Sequence, residues 1–213
     1  MCLQKRNVLS VVETMFCDLI VSGDHIGIMD AIEAIHTRHS VGKMKPDPIA
    51  REKIEMLLDA AVQAPNHHKV RPWRFVVLTG DGRNRLGDVM EHVFHQRFPD
   101  IGPEALAKER AKPLRSPVII VVGVDKPTES KVLEIENVCA AAAACQNILI
   151  AAQALGMAGH WRTGDAARQP EIKKFLGFSE DQQVIAFLYI GYPEVETAAP
   201  ARPGFEERTT WMG

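Results

Sequence analysis

The pattern of hydrophobic and polar positions predicts more helices than strands. Apolar residues recur at helical spacing over residues 29–38, 49–63, 83–97, 103–112, 134–155 and 169–175. Continuous apolar or β-branched runs predict strands at residues 73–78, 118–124 and 184–192. The second run is apolar throughout, which is typical of a strand buried on both faces. Because the strands do not alternate regularly with the helices, the pattern favours the α+β class over a doubly wound sheet.

The predicted helix at residues 134–155 is apolar on almost every side. Its length is close to the ~20 residues that a membrane span requires. Gln146, Asn147 and Gln153 interrupt the run, however, and its many alanines are only weakly lipophilic. We therefore interpret it as a helix buried in the protein core or in a subunit interface, where alanine lets helix backbones approach closely.

Residues 1–28 differ in character from the rest of the chain. Their apolar positions predict a short amphipathic helix, but they lack the basic segment, continuous apolar run and cleavage site of a signal peptide. Met29 then opens a new helical pattern. Two interpretations stay open: an extension that packs on a partner subunit, or an upstream start. We assign residues 1–28 to an extension without a function and residues 29–213 to one domain.

Composition and charge are those of a soluble globular protein, with 46% hydrophobic and 24% charged residues. A net charge of −2 gives no electrostatic reason to expect a nucleic acid or a membrane as partner. The four cysteines show no CxxC spacing and no metal-ligand pattern. Cys139 and Cys145 lie in an apolar run and are predicted to be core thiols, which suits a reduced, cytoplasmic compartment.

Three short segments combine residue types that bind ligands. Arg38-His39-Ser40, at the end of the first predicted helix, could hold a phosphate, although basic residues also cap helix C-termini. Residues 66–71 place His67, His68 and two cations in one loop, which either covers a ligand or is plain surface. A metal site there lacks a third ligand. Residues 159–164 read Gly-His-Trp-Arg-Thr-Gly, and their glycines let a ligand approach the backbone.

Common catalytic motifs are missing from the chain. It contains no GxGxxG, Walker A, GxSxG or HExxH pattern. Neither Cys139 nor Cys145 has a base near it in the sequence. We therefore expect neither a metal nor a catalytic nucleophile.

In their order and spacing, these segments resemble the nitroreductase family. Arg38-His39-Ser40 resembles its Arg-Arg/His-Ser flavin phosphate signature, and residues 64–75 are similar to its Ala-Pro-Ser…Gln-Pro-Trp-x-Phe segment. Residues 159–164 resemble the Gly-x-Trp-Arg-Ser-Gly of the smallest, YdjA-like NAD(P)H nitroreductases. Residues 187–193 resemble the closing strand of the family, so the likeness runs from residue 29 to about residue 193.

The resemblance implies an α+β nitroreductase-like fold, with a central mixed β-sheet flanked by helices, in an interlocked homodimer. Two FMN molecules would lie at the interface, each held by both chains, and residues 134–155 would form the interface helix. NAD(P)H would reduce the flavin at N5, and a nitroaromatic, quinone or related acceptor would reoxidise it by ping-pong hydride transfer, without a catalytic side chain. The alternatives are another reaction on the same flavin fold (dehalogenation, enoate reduction or flavin breakdown) and a non-catalytic flavin-binding dimer.

The resemblance also implies the cofactor-binding residues. Arg38, His39 and Ser40 would hold the phosphate and ribityl chain of FMN, and Trp161, Arg162 and Thr163 would complete the site from the same subunit. Gln63 and His67 would reach the flavin of the other subunit.

Three parts of the chain depart from the family pattern or match it weakly. Gly42 stands where many members have Lys or Arg, and residues 69–71 replace the usual Asn-x-Gln. The cation that faces flavin N1 is therefore Arg162, Lys43 or Arg71, in that order of preference. Residues 151–156 match a stretch assigned to NAD(P)H binding, but we interpret them as helix packing.

Overall fold

The computed structural model describes residues 29–213, and the predicted amphipathic helix within residues 1–28 lies outside this range. Within it the chain forms six α-helices and four β-strands. The helices are α1 (Ala31–Thr37), α2 (Arg51–Val62), α3 (Asp81–Arg97), α4 (Pro103–Arg110), α5 (Glu134–Ala154) and α6 (Pro170–Phe175). The strands are β1 (Trp73–Thr79), β2 (Val118–Val124), β3 (Ala158–Arg162) and β4 (Gln183–Gly191). The predicted α+β class is confirmed, and β3 is the one strand of the described range that the sequence pattern did not predict.

The four strands form one sheet in the order β1-β2-β4-β3, and every neighbouring pair is antiparallel. The expectation of a mixed sheet is therefore corrected. Strands β2 and β3 run in the same direction, as a crossover through α5 requires, but β4 lies between them and prevents a parallel ladder. Among the described residues the only parallel pairing is an isolated bridge between Ser40 and Gly159.

Both faces of the sheet are covered, as the apolar run of β2 predicts. Every residue of β2 is buried. Ile120 and Val122 belong to a core cluster with helices α2 and α5 on one face. Ile119 and Val121 belong to a second cluster with α3 and α6 on the other. Alternate side chains of a strand point to opposite faces, so β2 ties the two layers together.

Helix α5 is long and apolar enough to cross a bilayer by length and composition alone. Its inward face, however, packs in the core, where Ala141, Ala144 and Ile148 are fully buried. The opposite face is partly exposed in the single chain, most of all at Ile135, which is 62% accessible. The interpretation as a core helix is therefore supported, with one apolar face left uncovered.

The prediction that both cysteines of α5 are core thiols is half correct. Cys145 is fully buried, and burial raises the pKa of its thiol to about 12. Cys139 is exposed. The two residues lie six positions apart, about 240° around a helix, so they cannot share one face.

Helices α3 and α4 pack closely because of a glycine. A Cβ at Gly87 would lie 2.3 Å from the carbonyl oxygen of Arg110, which no real side chain tolerates. The absence of a side chain at Gly87 therefore lets the end of α4 rest directly on the backbone of α3.

Candidate functional site

The first and third ligand-binding segments of the sequence meet at the open edge of β3. Asp30 caps the N-terminus of helix α1, where its Oδ1 accepts a hydrogen bond of 2.6 Å from Ile32 N. After the helix, the backbone becomes extended at Arg38. Ser40 then bridges Gly159, and Val41 N donates to Gly159 O at 3.3 Å. The predicted phosphate segment therefore lies directly beside the strand that carries Trp161 and Arg162.

His39 is held at both of its ring nitrogens. Nδ1 lies 3.1 Å from Thr37 O, and Nε2 lies 2.7 Å from Thr197 Oγ1. Because a carbonyl only accepts, we assign the proton to Nδ1, so that Nε2 accepts from the Thr197 hydroxyl. The imidazole therefore fastens the C-terminal tail to the segment, and its ring nitrogens are already occupied by protein groups.

Arg38 is partly buried and forms no ion pair with any residue of the described range. Burial lowers the pKa of its guanidinium, and the nearby charge of Arg202, from the C-terminal tail, lowers it further. Two cations are thus brought together, and neither forms an ion pair within the described residues. Such an arrangement favours the binding of an anion.

Trp161 and Arg162 point to opposite faces of the sheet, as successive residues of a strand must. Trp161 packs against the core cluster under α5, and its Nε1 donates to Thr163 Oγ1 at 3.3 Å. The Thr163 hydroxyl donates in turn to Ile185 O at 3.3 Å. Arg162 lies instead over the ring of Tyr189, with Cζ 5.7 Å from the ring centroid. The two side chains therefore pack against different neighbours, although both residues line one cavity at the end of β3.

Gln63 and His67 lie in a separate group, at the C-terminal end of α2 and in the loop that follows. Gln63 is exposed, and its Nε2 donates to Asp59 O at 3.4 Å. His67 Nδ1 lies 2.6 Å from Glu136 Oε1 at the start of α5. The other carboxylate oxygen of Glu136 accepts from Leu133 N at 3.0 Å. This backbone bond, and then His67, lower the pKa of Glu136.

A shallow pocket opens beside His67 on the uncovered face of α5. Its volume is about 370 Å³, and its wall includes Pro65, Ile135 and Cys139. No residue of the 38–40 segment lines it. Within one chain the eight predicted cofactor residues are therefore divided between two places.

The loop after α2 is strained, which the sequence did not indicate. His68, Lys69 and Arg71 have φ angles of 50°, 56° and 50°, in the left-handed region that favours glycine. Each such residue costs on the order of 1–3 kcal/mol, and strain of this kind clusters at functional sites. Asn66 Oδ1 supports the turn by accepting from Arg71 N at 2.9 Å. The strain favours the interpretation of this loop as one that meets a ligand.

A cavity of about 420 Å³ lies on the α3 and α6 face of the sheet, and residues 160–164 of the third predicted ligand-binding segment form part of its wall. The rest of the wall comes from three other parts of the chain, which no sequence motif marks. The lining includes Met90, Val93, Phe94, Arg97, Glu109, Lys112, His160, Trp161, Arg162, Thr163, Gly164, Asp165, Ile172, Phe187 and Tyr189.

Comparisons with known proteins agree with the fold. The family model described as "Nitroreductase family" matches residues 35–192. The "Putative NAD(P)H nitroreductase YdjA" of Escherichia coli (strain K12) is 31% identical over 170 residues, which are 80% of this chain and 92% of that protein. The crystal structure of a nitroreductase-like family protein from Bacillus cereus is 24% identical with a TM-score of 0.75, and the match covers 86% of this chain and 96% of that one.

A second solved structure extends the same comparison. It is a single-residue mutant of NfnB from Sphigopyxis sp. strain HMH, which its description names as an FMN and NADPH-dependent nitroreductase. It is 19% identical with a TM-score of 0.72, and the match covers 87% of this chain and 100% of that one. The family model spans most of the described residues, and the 31% identity extends over four-fifths of the chain. The chain therefore belongs to the nitroreductase family.

Proposed function

We propose that the protein is an FMN-dependent NAD(P)H oxidoreductase, a nitroreductase that acts as a homodimer in the cytoplasm. The observation that carries the proposal is Arg38, a partly buried cation without a carboxylate partner among the described residues, fixed beside β3. The names of the relatives support the activity: NAD(P)H nitroreductase for YdjA, and an FMN and NADPH-dependent nitroreductase for NfnB.

The residues present at this edge fit the phosphate end of FMN. Arg38 and Arg202 repel each other in the single chain, and a phosphate between or beside them would remove that repulsion. Ser40 is exposed and offers a hydroxyl donor next to them. The His39 ring is occupied on both sides, so His39 would contribute its backbone amide rather than its imidazole.

The strand residues Trp161, Arg162 and Thr163 would hold the remainder of the cofactor from the same subunit. Bound FMN would supply the redox chemistry, accepting a hydride from NAD(P)H and passing electrons to an organic acceptor. The protein itself would orient the two substrates, exclude water and provide positive charge. The side chain of Arg162, which lies over Tyr189 in the single chain, would supply part of that positive charge.

The uncovered face of α5 supports the dimer. Ile135 is 62% exposed, and Cys139 and the shallow pocket beside His67 lie on the same face. Ile32 and Ile35 of α1 are also exposed, at 62% and 47%. A second copy would cover these residues and bring its own Gln63 and His67 to the Arg38 segment. In that arrangement, the predicted cofactor residues that are separate within one chain would form one site from two chains.

The acceptor would be a nitroaromatic, a quinone or a related organic compound, reduced by ping-pong exchange with NAD(P)H at the same place. The apolar part of the α5 pocket wall, which includes Pro65, Ile135 and Cys139, would suit an aromatic acceptor.

The visible absorption spectrum of the purified protein, before and after anaerobic NADPH or NADH, tests the proposal. We expect flavin bands that bleach upon addition of the nicotinamide and return when a nitroaromatic or quinone is added. A protein that gains no flavin bands when FMN is supplied would refute the cofactor. Flavin bands that neither nicotinamide bleaches would refute the oxidoreductase and leave a flavin-binding dimer.

A further inference from the structure

His67 is held at one ring nitrogen and free at the other. Its Nδ1 lies 2.6 Å from Glu136 Oε1, and because a carboxylate only accepts, Nδ1 carries the proton of this hydrogen bond. Nε2 has no hydrogen-bond partner among residues 29–213. The side chain is 55% exposed, so solvent reaches the ring.

Glu136 is placed to orient that ring. Its Oε2 accepts a hydrogen bond of 3.0 Å from Leu133 N, while Oε1 meets His67. The backbone bond, and then His67, lower the pKa of the carboxyl, which is therefore ionised at neutral pH. An ionised carboxylate at Nδ1 fixes the orientation of an imidazole and stabilises its protonated form.

The strained loop holds the same ring from its face. The rings of His67 and His68 are stacked, with their centroids 4.1 Å apart and their planes inclined by 19°. His68 adopts a φ of 50°, in the left-handed region that costs a residue other than glycine free energy. Such strain is common where a functional group has to be pre-organised. The imidazole of His67 is therefore fixed by a hydrogen bond at its edge and by a second ring on its face.

This imidazole forms part of the wall of the α5 pocket, whose volume is about 370 Å³. The other side chains of the lining are those of Pro65, Asn66, Ile135, Glu136, Cys139, Ala140 and Ala143. Both oxygens of Glu136 already accept hydrogen bonds, and the amide of Asn66 does not release a proton. Histidine is the side chain whose charge ordinarily changes near neutral pH. His67 is therefore the group of this wall that is suited to deliver a proton.

We propose that His67 is the proton donor to the organic acceptor and that Glu136 is its positioning residue. The inference rests on the proposed function, in which NAD(P)H supplies a hydride by way of bound FMN. With that hydride and one proton, a quinone becomes a hydroquinone, and a nitro group becomes a nitroso group and water. The Nε2–H bond of His67 breaks, an O–H bond forms on the acceptor, and solvent reprotonates the exposed imidazole. The family resemblance alone implied no catalytic side chain.

The test compares two acceptors, duroquinone and ferricyanide, with the FMN-loaded protein and NADPH. Ferricyanide takes one electron and no proton, so it separates electron transfer from proton delivery. His67→Gln supplies an amide that donates a hydrogen bond but releases no proton. We expect its kcat for duroquinone to fall about a hundredfold, and its ferricyanide reduction to stay within about twofold.

Two further variants accompany this comparison. Glu136→Gln keeps an acceptor at Nδ1 but removes its charge, and should lower kcat for duroquinone about tenfold at unchanged KM. His95→Gln makes the same substitution at an exposed histidine of α3 that lines neither cavity. It is the matched control and should change neither acceptor.

Calorimetry without NAD(P)H adds a measurement that does not depend on turnover. His67→Phe keeps a ring on His68 but removes the donor, and should weaken duroquinone binding about fivefold, whereas His67→Gln should preserve it. Durene has the same methylated ring without the carbonyl groups, and should bind the original chain and both variants equally. Flavin absorbance reports the FMN content of each protein.

The outcomes separate this proposal from the proposed function. Unchanged duroquinone reduction in His67→Gln would overturn the role of His67 and leave the flavin oxidoreductase standing. Equal slowing of duroquinone and ferricyanide at full FMN content would also overturn it, because His67 would then act on electron transfer. A chain that takes up no FMN, or that reduces ferricyanide but no quinone or nitroaromatic, would refute the proposed function and the proton donor together.

Discussion

The side chains of His39 and Thr197 are 158 residues apart in the chain, and their Nε2 and Oγ1 atoms lie 2.7 Å apart. The same tail is fastened upstream, where Met44 bridges Pro193 and Glu194 N donates to Lys43 O at 3.2 Å. The tail is therefore laid across the segment that contains Arg38. The His39–Thr197 hydrogen bond holds the part of the C-terminal tail that leads to Arg202.

Thr197→Val should weaken FMN binding about fivefold. The variant keeps the shape of the side chain but removes the hydroxyl that His39 Nε2 accepts from, a loss of about 1 kcal/mol. The dissociation constant is measured from quenching of FMN fluorescence. Thr197→Ser retains the hydroxyl and should bind FMN as the original chain does. An unchanged constant in the valine variant would mean that the tail does not support the cofactor site.

Arg38→Ala should raise the dissociation constant for FMN by about ten- to a hundredfold, since a hydrogen bond to a charged group contributes roughly 1.5–3 kcal/mol. Arg162→Ala should cost less, because its side chain lies over Tyr189 on the other face. The double variant should lose its flavin while the dimer persists. Arg168→Ala is the control, because it removes the positive charge of an exposed arginine that does not line the cavity beside β3. Full flavin occupancy in the double variant would refute the assignment of the phosphate.

Ile135→Glu should dissociate the dimer without unfolding the chain. The residue is 62% exposed in the single chain, so a carboxylate there costs little until a second copy covers it. Sedimentation velocity should change from a dimer to a species near 23.6 kDa. Leu114→Glu places the same charge on an exposed leucine in the turn after α4, and should leave the dimer intact. A dimer that survives Ile135→Glu would place the interface elsewhere.

Glu136→Gln should destabilise the protein at neutral pH and not at low pH. Leu133 N–H and His67 lower the pKa of Glu136 below its ordinary value of 4.5. A carboxylate with a lowered pKa stabilises the fold above its unfolded pKa, and this contribution disappears as the pH falls through the lowered value.

Urea midpoints of the original chain and the Glu136→Gln variant, compared from pH 7 to pH 3, measure this difference. The gap should be present at pH 7 and should close below about pH 4. Glu52→Gln provides the control, because Glu52 also lies in the first turn of a helix. A gap that is independent of pH would show that shape, rather than charge, matters at Glu136.

The sequence predicted those parts of the fold that local pattern determines. The bounds of β2 are as predicted, because Val118 to Val124 are apolar without interruption and Pro117 and Asp125 flank them. Strand β3 was missed because it has only five residues and includes Gly159, which gives little strand signal. The antiparallel pairing of all neighbouring strands could not be predicted from local sequence, because β4 lies between β2 and β3 only in the folded chain.

The candidate site, too, could be predicted from the sequence only in part. Resemblance placed Arg38, His39 and Ser40 in one segment, and the structure brings that segment to β3. Nothing in the sequence indicated that Thr197 would occupy the ring of His39, because side-chain contacts over such distances follow from the fold. The strain at residues 68–71 was equally invisible, since none of these residues is a glycine.

The alternation of Trp161 and Arg162 along β3 has an evolutionary consequence. Both residues line one cavity, but Trp161 also packs in the α5 layer, whereas Arg162 lies over Tyr189 in the α3 layer. A substitution at either position therefore changes the wall of the cavity together with the packing of one layer. Selection for a new ligand at this edge strand is thus constrained by the stability of the sheet on which it acts.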